Sequence, residues 1–290
     1  MRYNLLIFIL ICSVWVFGQR VPSNYKWKHL GPKRIAISTV DSGQKTAVGQ
    51  GWIEDIIIDD EAWYAGSITG GLYKSKNKGK KWKKIDDDTV QLGTLCLLKV
   101  GDTLYRGTGV THYDQDWGSG LLRSTDDGKT WEQTELAFLP TENKPLWMVA
   151  ASPFDSTMLA CTPHQVYRSG SRDKEWEPVL STKKTDFRSI VFSSKYPGTC
   201  WVSGNKLFQS VDYGKTWVDL SKNVFAHLKQ RAVQTVTRIA LCEDPNNADR
   251  LVAFYSASHE AYVQESWDGG ATWKILFKDH RVSRADVHHT

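Results

Sequence analysis

Cysteine is scarce in this sequence, and no two cysteines have the spacing of a metal or redox site. Five occur in 290 residues: Cys12 near the N-terminus, then Cys96, Cys161, Cys200 and Cys242, each inside an apolar stretch. The absence of a C-x-x-C pair argues against zinc modules and thioredoxin-like motifs. We predict that the four later cysteines are buried thiols. One or two disulfides are the alternative, because an exported protein would permit them.

A hydrophobic run long enough to cross a membrane is also absent. The longest apolar stretch, Leu5 to Phe17, follows Arg2 and precedes Gly18 and Gln19. That arrangement is typical of a secretory signal peptide, and the stretch is shorter than the roughly 20 apolar residues of a membrane-spanning helix. We therefore expect cleavage after Gly18 and a secreted or periplasmic protein with no integral membrane segment.

The chain lacks a strong charge of either sign. Its 37 Lys and Arg residues against 32 Asp and Glu residues give a net charge of +5, spread along the whole length. Nucleic-acid-binding domains concentrate positive charge on one face, so we predict no nucleic-acid partner. The tail residues Asp286, His288 and His289 have metal-ligating side chains, but no partner ligand is visible for them, and we predict no metal and no cofactor.

Five eight-residue segments repeat along the chain, each beginning with Ser and ending with Trp. They are SKNKGKKW, STDDGKTW, SGSRDKEW, SVDYGKTW and SWDGGATW. Their recurring residues are Ser75, Asn77, Gly79, Trp82; Ser124, Asp126, Gly128, Trp131; Ser169, Trp176; Ser210, Asp212, Gly214, Trp217; and Ser266, Asp268, Gly270, Trp273. The serines are 49, 45, 41 and 56 residues apart, close to the roughly 40 to 50 residues of one propeller blade.

The segments between these repeats read as short strands, in which β-branched, aromatic and apolar residues alternate with polar ones. Within each repeat, Ser and Asp can hydrogen-bond backbone groups one or two residues on, and Gly can supply the positive φ of a tight turn. The Trp can then cover an apolar edge. We predict an all-β propeller of four-stranded antiparallel blades, with five repeats visible and a partial six- or seven-bladed ring as the alternative.

The repeats resemble the Asp-box, or bacterial neuraminidase repeat, of sialidases, xyloglucanase-type glycoside hydrolases and sortilin-type propellers. The resemblance extends over residues 46 to 280 and implies that each repeat joins the third and fourth strands of a blade, opposite the binding face. We accordingly divide the chain into a signal peptide at 1–18, an N-terminal segment with a ring-closing strand at 19–45, and a propeller at 46–290.

The catalytic motifs of these families are incomplete here. Sialidases have an Arg-Ile-Pro element, whereas this chain has Lys33-Arg34-Ile35-Ala36. Xyloglucanase-type enzymes have a catalytic Asp in an Asp-Ile-Gly-Gly segment, and the matching stretch from Ser67 to Tyr73 offers only Ser67 and Thr69 there. We predict a non-catalytic module that binds a glycan or a protein. A glycoside hydrolase acting on a polysaccharide is the alternative, and sequence leaves the choice open.

Three groups of residues are candidates for the binding site, all expected on the face opposite the repeats. A long loop contains acidic and aromatic residues that suit sugar rings, with a purely structural polar loop as the alternative: His112, Tyr113, Asp114, Asp116 and Trp117. Arg188 and Arg238 precede predicted inner strands and could bind a carboxylate or phosphate, or form cross-blade ion pairs. His259 and Glu260 are a weaker pair that could equally be solvated.

Overall fold

The computed structural model describes residues 53–68, 70–85, 93–112, 115–142 and 144–279. The predicted signal peptide, its cleavage site and the N-terminal segment at 19–45 lie outside the described residues, as do Tyr113 and Asp114. Among the residues that are described, no helix has the length and apolar character needed to cross a bilayer.

The described chain forms a five-bladed β-propeller, as the repeats predict, with four antiparallel strands in each blade. Blade one contains β1 (Ile53–Ile58), β2 (Trp63–Ser67), β3 (Gly71–Ser75) and β4 (Lys83–Lys84). Blade two contains β5 (Thr94–Val100), β6 (Thr103–Thr108), β9 (Gly120–Ser124) and β10 (Glu132–Ala137). Blade three contains β11 (Met148–Ala151), β12 (Met158–Cys161), β13 (Gln165–Ser169) and β14 (Glu177–Ser181).

Blade four contains β15 (Ser189–Phe192), β16 (Cys200–Ser203), β17 (Leu207–Ser210) and β18 (Val218–Asp219). Blade five contains β19 (Ile239–Asp244), β20 (Asn247–Ala257), β21 (Glu260–Ser266) and β22 (Lys274–Asp279). Four shorter features lie between or beside the blades. A hairpin consists of β7 (Val110–His112) and β8 (Gln115–Trp117), and a 3-10 turn spans Pro140–Glu142. Two one-turn helices follow, α1 (Ser221–Val224) and α2 (Gln230–Val233).

Burial falls from the middle of each blade to its outer edge. Every residue of β12 and β16 is buried, whereas β22 is mostly exposed. The apolar clusters join neighbouring blades: Tyr105 and Leu121 of blade two pack with Met158 of blade three. Each fully buried side chain of this size contributes about 1.5 to 3 kcal/mol, so face-to-face packing of the sheets holds the blades together.

Strand order places the loops on two faces. The innermost strand of each blade contacts the innermost strand of the next, in the sequence β1, β5, β11, β15 and β19. Because successive strands are antiparallel, the first-to-second and third-to-fourth connections share one face, here named the turn face, which carries all five repeated segments. The second-to-third loops and the connections between blades lie on the other face, here named the opposite face.

Candidate functional site

The repeated segments of the turn face use their polar groups internally. In the second repeat, Ser124 Oγ donates to Asp126 Oδ1 at 2.8 Å and accepts from the Gly128 amide at 2.9 Å. Asp126 also accepts from the amide and the hydroxyl of Thr130, and these bonds hold its pKa well below the usual range. The fourth and fifth repeats form the same bonds around Asp212 and Asp268.

The first repeat has Asn77 in the acidic position; Ser75 Oγ still donates to Asn77 Oδ1 and accepts from the Gly79 amide. The third repeat differs, because Ser169 Oγ donates to the Lys174 carbonyl. In that repeat the buried Asp173 replaces the glycine, and its Oδ2 accepts a hydrogen bond from Arg123 Nη1 of blade two at 3.0 Å. These contacts give all five segments a turn-forming or blade-joining role.

The glycine of the repeat also lets neighbouring blades approach closely. Gly214 has a φ of 81°, and a Cβ built on it would lie 2.8 Å from Leu159 Cδ2 of blade three. Trp217 of the same repeat packs against the cluster shared by blades three and four. The turn therefore supports the interface between blades, and its carboxylates stay on separate blades.

Three blades in succession place a planar cationic or aromatic side chain at an equivalent position on the opposite face. Trp147, Arg188 and Arg238 each stand immediately before the innermost strand of blades three, four and five. The Arg188 guanidinium carbon lies 3.5 Å from the centre of the Trp147 ring. Arg188 Nη2 also donates to Asp186 Oδ2 at 2.7 Å. Its ion pair thus lies within one connection, whereas a cross-blade pair was one of the sequence alternatives.

Arg238 has no hydrogen-bonded or ion-paired partner among the residues that the structure describes. Its side chain is exposed to solvent, yet surrounding protein lowers the pKa of its guanidinium and the charge of Arg188 lowers it further, while Glu54 acts in the opposite direction. The carboxylate of Asp186 acts in the same direction as Glu54, so the pKa of Arg238 reflects the charges of Arg188, Glu54 and Asp186 together.

Several buried polar atoms beside this arginine pair also lack a partner. They are Asp186 Oδ1, Asn205 Oδ1 and Trp147 Nε1. Gly204 permits the close packing, since a Cβ at this position would lie 1.9 Å from the Asp186 carbonyl oxygen. A buried polar atom without a partner costs about 1 to 3 kcal/mol, so a ligand or water that reached these atoms would gain free energy.

The long loop of blade two folds as the hairpin of β7 and β8, with His112 opposite Gln115 and Thr111 opposite Asp116. It lies beside the 3-10 turn at Pro140–Glu142. The contribution of its aromatic and acidic residues to binding, Trp117 included, remains a prediction.

His259 and Glu260 lie at the turn between β20 and β21. Ser258 and His259 both have positive φ, 51° and 68°, which is the geometry of a two-residue hairpin turn. Glu260 accepts from Lys278 Nζ at 3.0 Å and from the Tyr262 hydroxyl. His259 is exposed, so the histidine is the more available member of the pair.

The stretch that resembles the xyloglucanase segment contains Ser67, a buried residue whose hydroxyl accepts from the Gly70 amide at 3.0 Å. The nearby Asp55 accepts from the amides of Ile56 and Leu97, at 2.8 and 2.7 Å. Burial raises the pKa of Asp55 to about 6, although these two hydrogen bonds oppose the shift. Asp55 Oδ2 therefore joins blade one to blade two, while Oδ1 bonds within its own strand.

Cys96, Cys161 and Cys200 are buried thiols outside any disulfide of the described residues. Burial raises the pKa of Cys161 and of Cys200 to about 12, so neither is a reactive thiolate near neutral pH. Within the described ranges, no cluster of three or more His, Cys, Asp and Glu side chains could hold a metal ion.

Comparison with known proteins gives a consistent fold and distant sequence similarity. No family model matches the chain. A xyloglucanase from Paenibacillus sp. is 23% identical over 254 residues, which is 80% of this chain and 21% of the relative. The chain thus spans about a fifth of the length of that curated relative.

Solved structures give the same picture. An ancestral GH74 enzyme matches with a TM-score of 0.61 and 18% identity, over 78% of this chain and 31% of that chain. The GH74 enzyme of Niastella koreensis matches with a TM-score of 0.52 and 16% identity, over 74% of this chain and 37% of that chain. At these identities the similarity establishes the β-propeller fold.

Sequence reasoning selected Arg188 and Arg238 but missed Trp147 and Asn205. The signal for Trp147 was its place: it stands one residue before an inner strand, as both arginines do. Aligning the blades on their inner strands would have found it. Asn205 lies in the short loop between β16 and β17, and no repeated sequence pattern marks this position.

Proposed function

We propose that this protein is an exported, non-catalytic propeller of the Asp-box type that binds an acidic ligand on its opposite face. Arg188 and Arg238 would bind a carboxylate, and the polar atoms beside them would hydrogen-bond the rest of the ligand. The ligand is a glycan or a protein; a uronic acid, which offers a carboxylate and hydroxyl donors together, suits these groups well.

The observation that carries the proposal is the unpartnered Arg238 beside a second arginine. The charge of Arg188 disfavours the protonated form of Arg238, and a bound anion would offset that repulsion while forming charge-assisted hydrogen bonds. The stacking of Arg188 on Trp147 at 3.5 Å holds one guanidinium plane in place before a ligand arrives. Such preorganisation lowers the entropic cost of binding.

The non-catalytic part of the proposal rests on what the nearby carboxylates already do. Glycoside hydrolysis needs two carboxyl groups about 5 to 10 Å apart and available to substrate. Asp55 is engaged by two backbone amides, and Asp186 is ion-paired with Arg188. The stretch from Ser67 to Tyr73 that resembles the xyloglucanase segment has no carboxylate, and the hydroxyls of Ser67 and Thr69 cannot replace one as a general acid or base.

The test of binding is isothermal titration with trigalacturonate and with an acidic peptide, at 50 and 300 mM salt. We expect the Arg188→Ala, Arg238→Ala double variant to lose at least tenfold in affinity for one of these probes, and binding to weaken at the higher salt. Arg172→Ala, on the turn face, is the charge-matched control and should bind as the unaltered protein does. Equal binding by the double variant would refute the assignment of the site.

A glycoside hydrolase is the second candidate, supported by the similarity to the Paenibacillus xyloglucanase and to GH74 folds. Its test is the release of new reducing ends from xyloglucan and other polysaccharides. Turnover that disappears in Asp114→Ala or Asp116→Ala would overturn the non-catalytic proposal. Binding without turnover, weakened by Trp117→Ala, would support it and would place the blade-two hairpin in the site.

Export belongs to the same proposal and has its own test. If residues 1–18 are a signal peptide, the mature protein recovered from the periplasm or medium should begin at Gln19. N-terminal mass spectrometry checks this, and a mature protein that still begins at Met1 would contradict it.

A further inference from the structure

We propose that the turn face carries a second binding site, for a sugar ring of a neutral glycan, in a cleft between blades four and five. Different residues on the other side of the propeller carry this inference, so it does not depend on the acidic-ligand site.

The cleft is bounded by turns of two blades. Its volume is about 240 Å³, below the range of about 300 to 1,000 Å³ that encloses drug-sized ligands. Its walls include Tyr196 of blade four, Asp249 at the start of β20, and Trp267 of the fifth repeated segment, with Trp201 and Leu251 also lining it. A space of this size suits one or two rings, whereas a stable protein interface buries about 800 Å² on each partner.

Trp267 is the residue that distinguishes the fifth repeat from the others. The same second position holds Lys76, Thr125, Gly170 and Val211 in the other four repeats. The turn does not need an indole here, because Ser266 and Asp268 form its hydrogen bonds. Trp267 is nevertheless 54% exposed, and an exposed indole is a large flat apolar surface that gains by being covered.

A fixed cation lies against the Trp267 ring. The Arg250 guanidinium carbon lies 5.7 Å from the ring centre. Arg250 is itself fixed by Glu265 Oε2 and Asp244 Oδ2, each at 3.0 Å. The cation–π contact and the two ion pairs restrict the indole before binding, which reduces the entropy that a ligand must overcome.

The polar side of the cleft offers acceptors for sugar hydroxyls. Asp249 accepts from Lys195 Nζ at 2.7 and 2.9 Å and from the Tyr196 hydroxyl, and these bonds keep the pKa of its carboxyl below the usual range. The carboxylate is therefore ionised at neutral pH and has lone pairs remaining for hydroxyl donors. A second carboxylate, Asp268, also lines the cleft, and this negative charge disfavours uronates and phosphates.

An aromatic side chain next to an ionised acceptor is a combination that recognises a pyranose. The C–H face of the sugar packs on the indole, and the sugar hydroxyls donate to the carboxylate. Tyr196, 44% exposed, provides a second ring at the rim. The opposite-face site has the reverse chemistry, with arginines, and its indole is already covered by Arg188.

The experiment is titration calorimetry of the whole chain with cellotetraose and mannotetraose, with trigalacturonate as the acidic comparator. We expect a neutral tetrasaccharide to bind, Trp267→Ala to lower the association constant at least tenfold, and Trp267→Phe to lower it less. Val211→Ala changes the same repeat position in blade four and should bind normally. The Arg188→Ala, Arg238→Ala double variant should also bind normally, which separates this site from the proposed function.

A second readout locates the ligand. The indole N–H resonance of Trp267, identified by its loss in Trp267→Phe, should shift when the neutral tetrasaccharide is added. Absence of binding by both neutral probes, binding unchanged by Trp267→Ala, or binding lost only in the arginine variant would each overturn the proposal.

Discussion

The two faces of the propeller present similar polar residue types under different hydrogen-bonding conditions. On the turn face, Asp126 and Asp212 each receive hydrogen bonds from a Ser hydroxyl and from a Thr amide and hydroxyl of the same turn. On the opposite face, Asp186 leaves one oxygen without a partner, and Arg238 has no ion pair in the described structure. Within the repeats, hydrogen bonds inside the turn mark a structural role, whereas the unpartnered atoms of the opposite face mark the proposed acidic-ligand site.

The contrast between hydrogen-bonded and unpartnered groups holds for the carboxylates and arginines of the two faces, but not for the tryptophans. Trp131 and Trp273 donate their ring N–H to the glycine carbonyl of their own turn, at 3.2 and 3.0 Å, whereas the buried ring nitrogens of Trp176 and Trp217 have no partner. Indole packing between blades is thus worth keeping even where the N–H is unsatisfied. We therefore expect substitutions within the repeats to destabilise the fold more than substitution of Arg238 on the opposite face.

The largest effect is expected for Gly214→Ala on the turn face. The alanine must adopt a φ of 81°, and its Cβ would lie 2.8 Å from Leu159 Cδ2. The variant should therefore lose about 2 to 4 kcal/mol of unfolding free energy, measured in urea. Gly101→Ala is the matched control, because Gly101 has a φ of 57° with no atom within 4 Å of its added Cβ. The control should lose only about 1 kcal/mol. Equal losses would show that close packing between blades does not matter there.

Ser210→Ala should be the next most destabilising change. It leaves the Gly214 amide, which now donates to Ser210 Oγ at 2.9 Å, without a partner in a buried place. We expect a loss of about 1 to 3 kcal/mol, measured by urea unfolding. Ser171→Ala, at an exposed position of the third repeat, is the control and should stay within about 0.5 kcal/mol of the unaltered protein. A neutral Ser210→Ala variant would argue that the turn tolerates the loss.

The pH dependence of stability should have opposite signs for the two kinds of carboxylate. The pKa of Asp55 is raised to about 6 from 3.8, so its proton is bound more tightly in the folded protein. The associated stability is present below about pH 4 and is lost as the pH rises to about 6, by about 1 to 2 kcal/mol after allowance for partial exposure. Asp55→Asn should flatten this part of the profile.

Asp212 provides the contrast within the same titration. Burial alone would raise its pKa, but hydrogen bonds from Thr216 and Ser210 bring it down to about 2. Its stabilisation is therefore present above pH 4 and is lost as the pH falls towards 2. Urea unfolding from pH 2 to 7 of Asp55→Asn and Asp212→Asn separates the two; profiles that change in the same direction would contradict the assignment.

Much of the fold, and part of the site, could be predicted from the sequence. The repeated Ser, Asp, Gly and Trp positions predict a propeller because each residue performs its task within eight residues of chain. Arg188 and Arg238 could be selected because they precede strands. Trp147 could be selected in the same way, because it also precedes an inner strand. Asn205 and the cleft at Trp267 could not, because no repeated pattern marks Asn205 and the cleft depends on contacts between blades four and five. Trp267 was also not selected because all candidate sites were expected on the face opposite the repeats, and Trp267 belongs to a repeat.

The smallest effect on stability is expected for Arg238→Ala. Its guanidinium has no partner to lose in the described structure and is repelled by Arg188, so the unfolding free energy should change by no more than about 0.5 kcal/mol. Arg250→Ala on the turn face is the matched control: it leaves Asp244 and Glu265 without their shared cation and should cost about 1 to 3 kcal/mol. If Arg238→Ala destabilised the protein as much as Arg250→Ala does, Arg238 would be part of the scaffold. A near-neutral result, combined with loss of acidic-ligand binding in the double variant, would mean that Arg238 contributes to ligand binding and not to folding. Its position next to Arg188 would then be explained by the ligand alone.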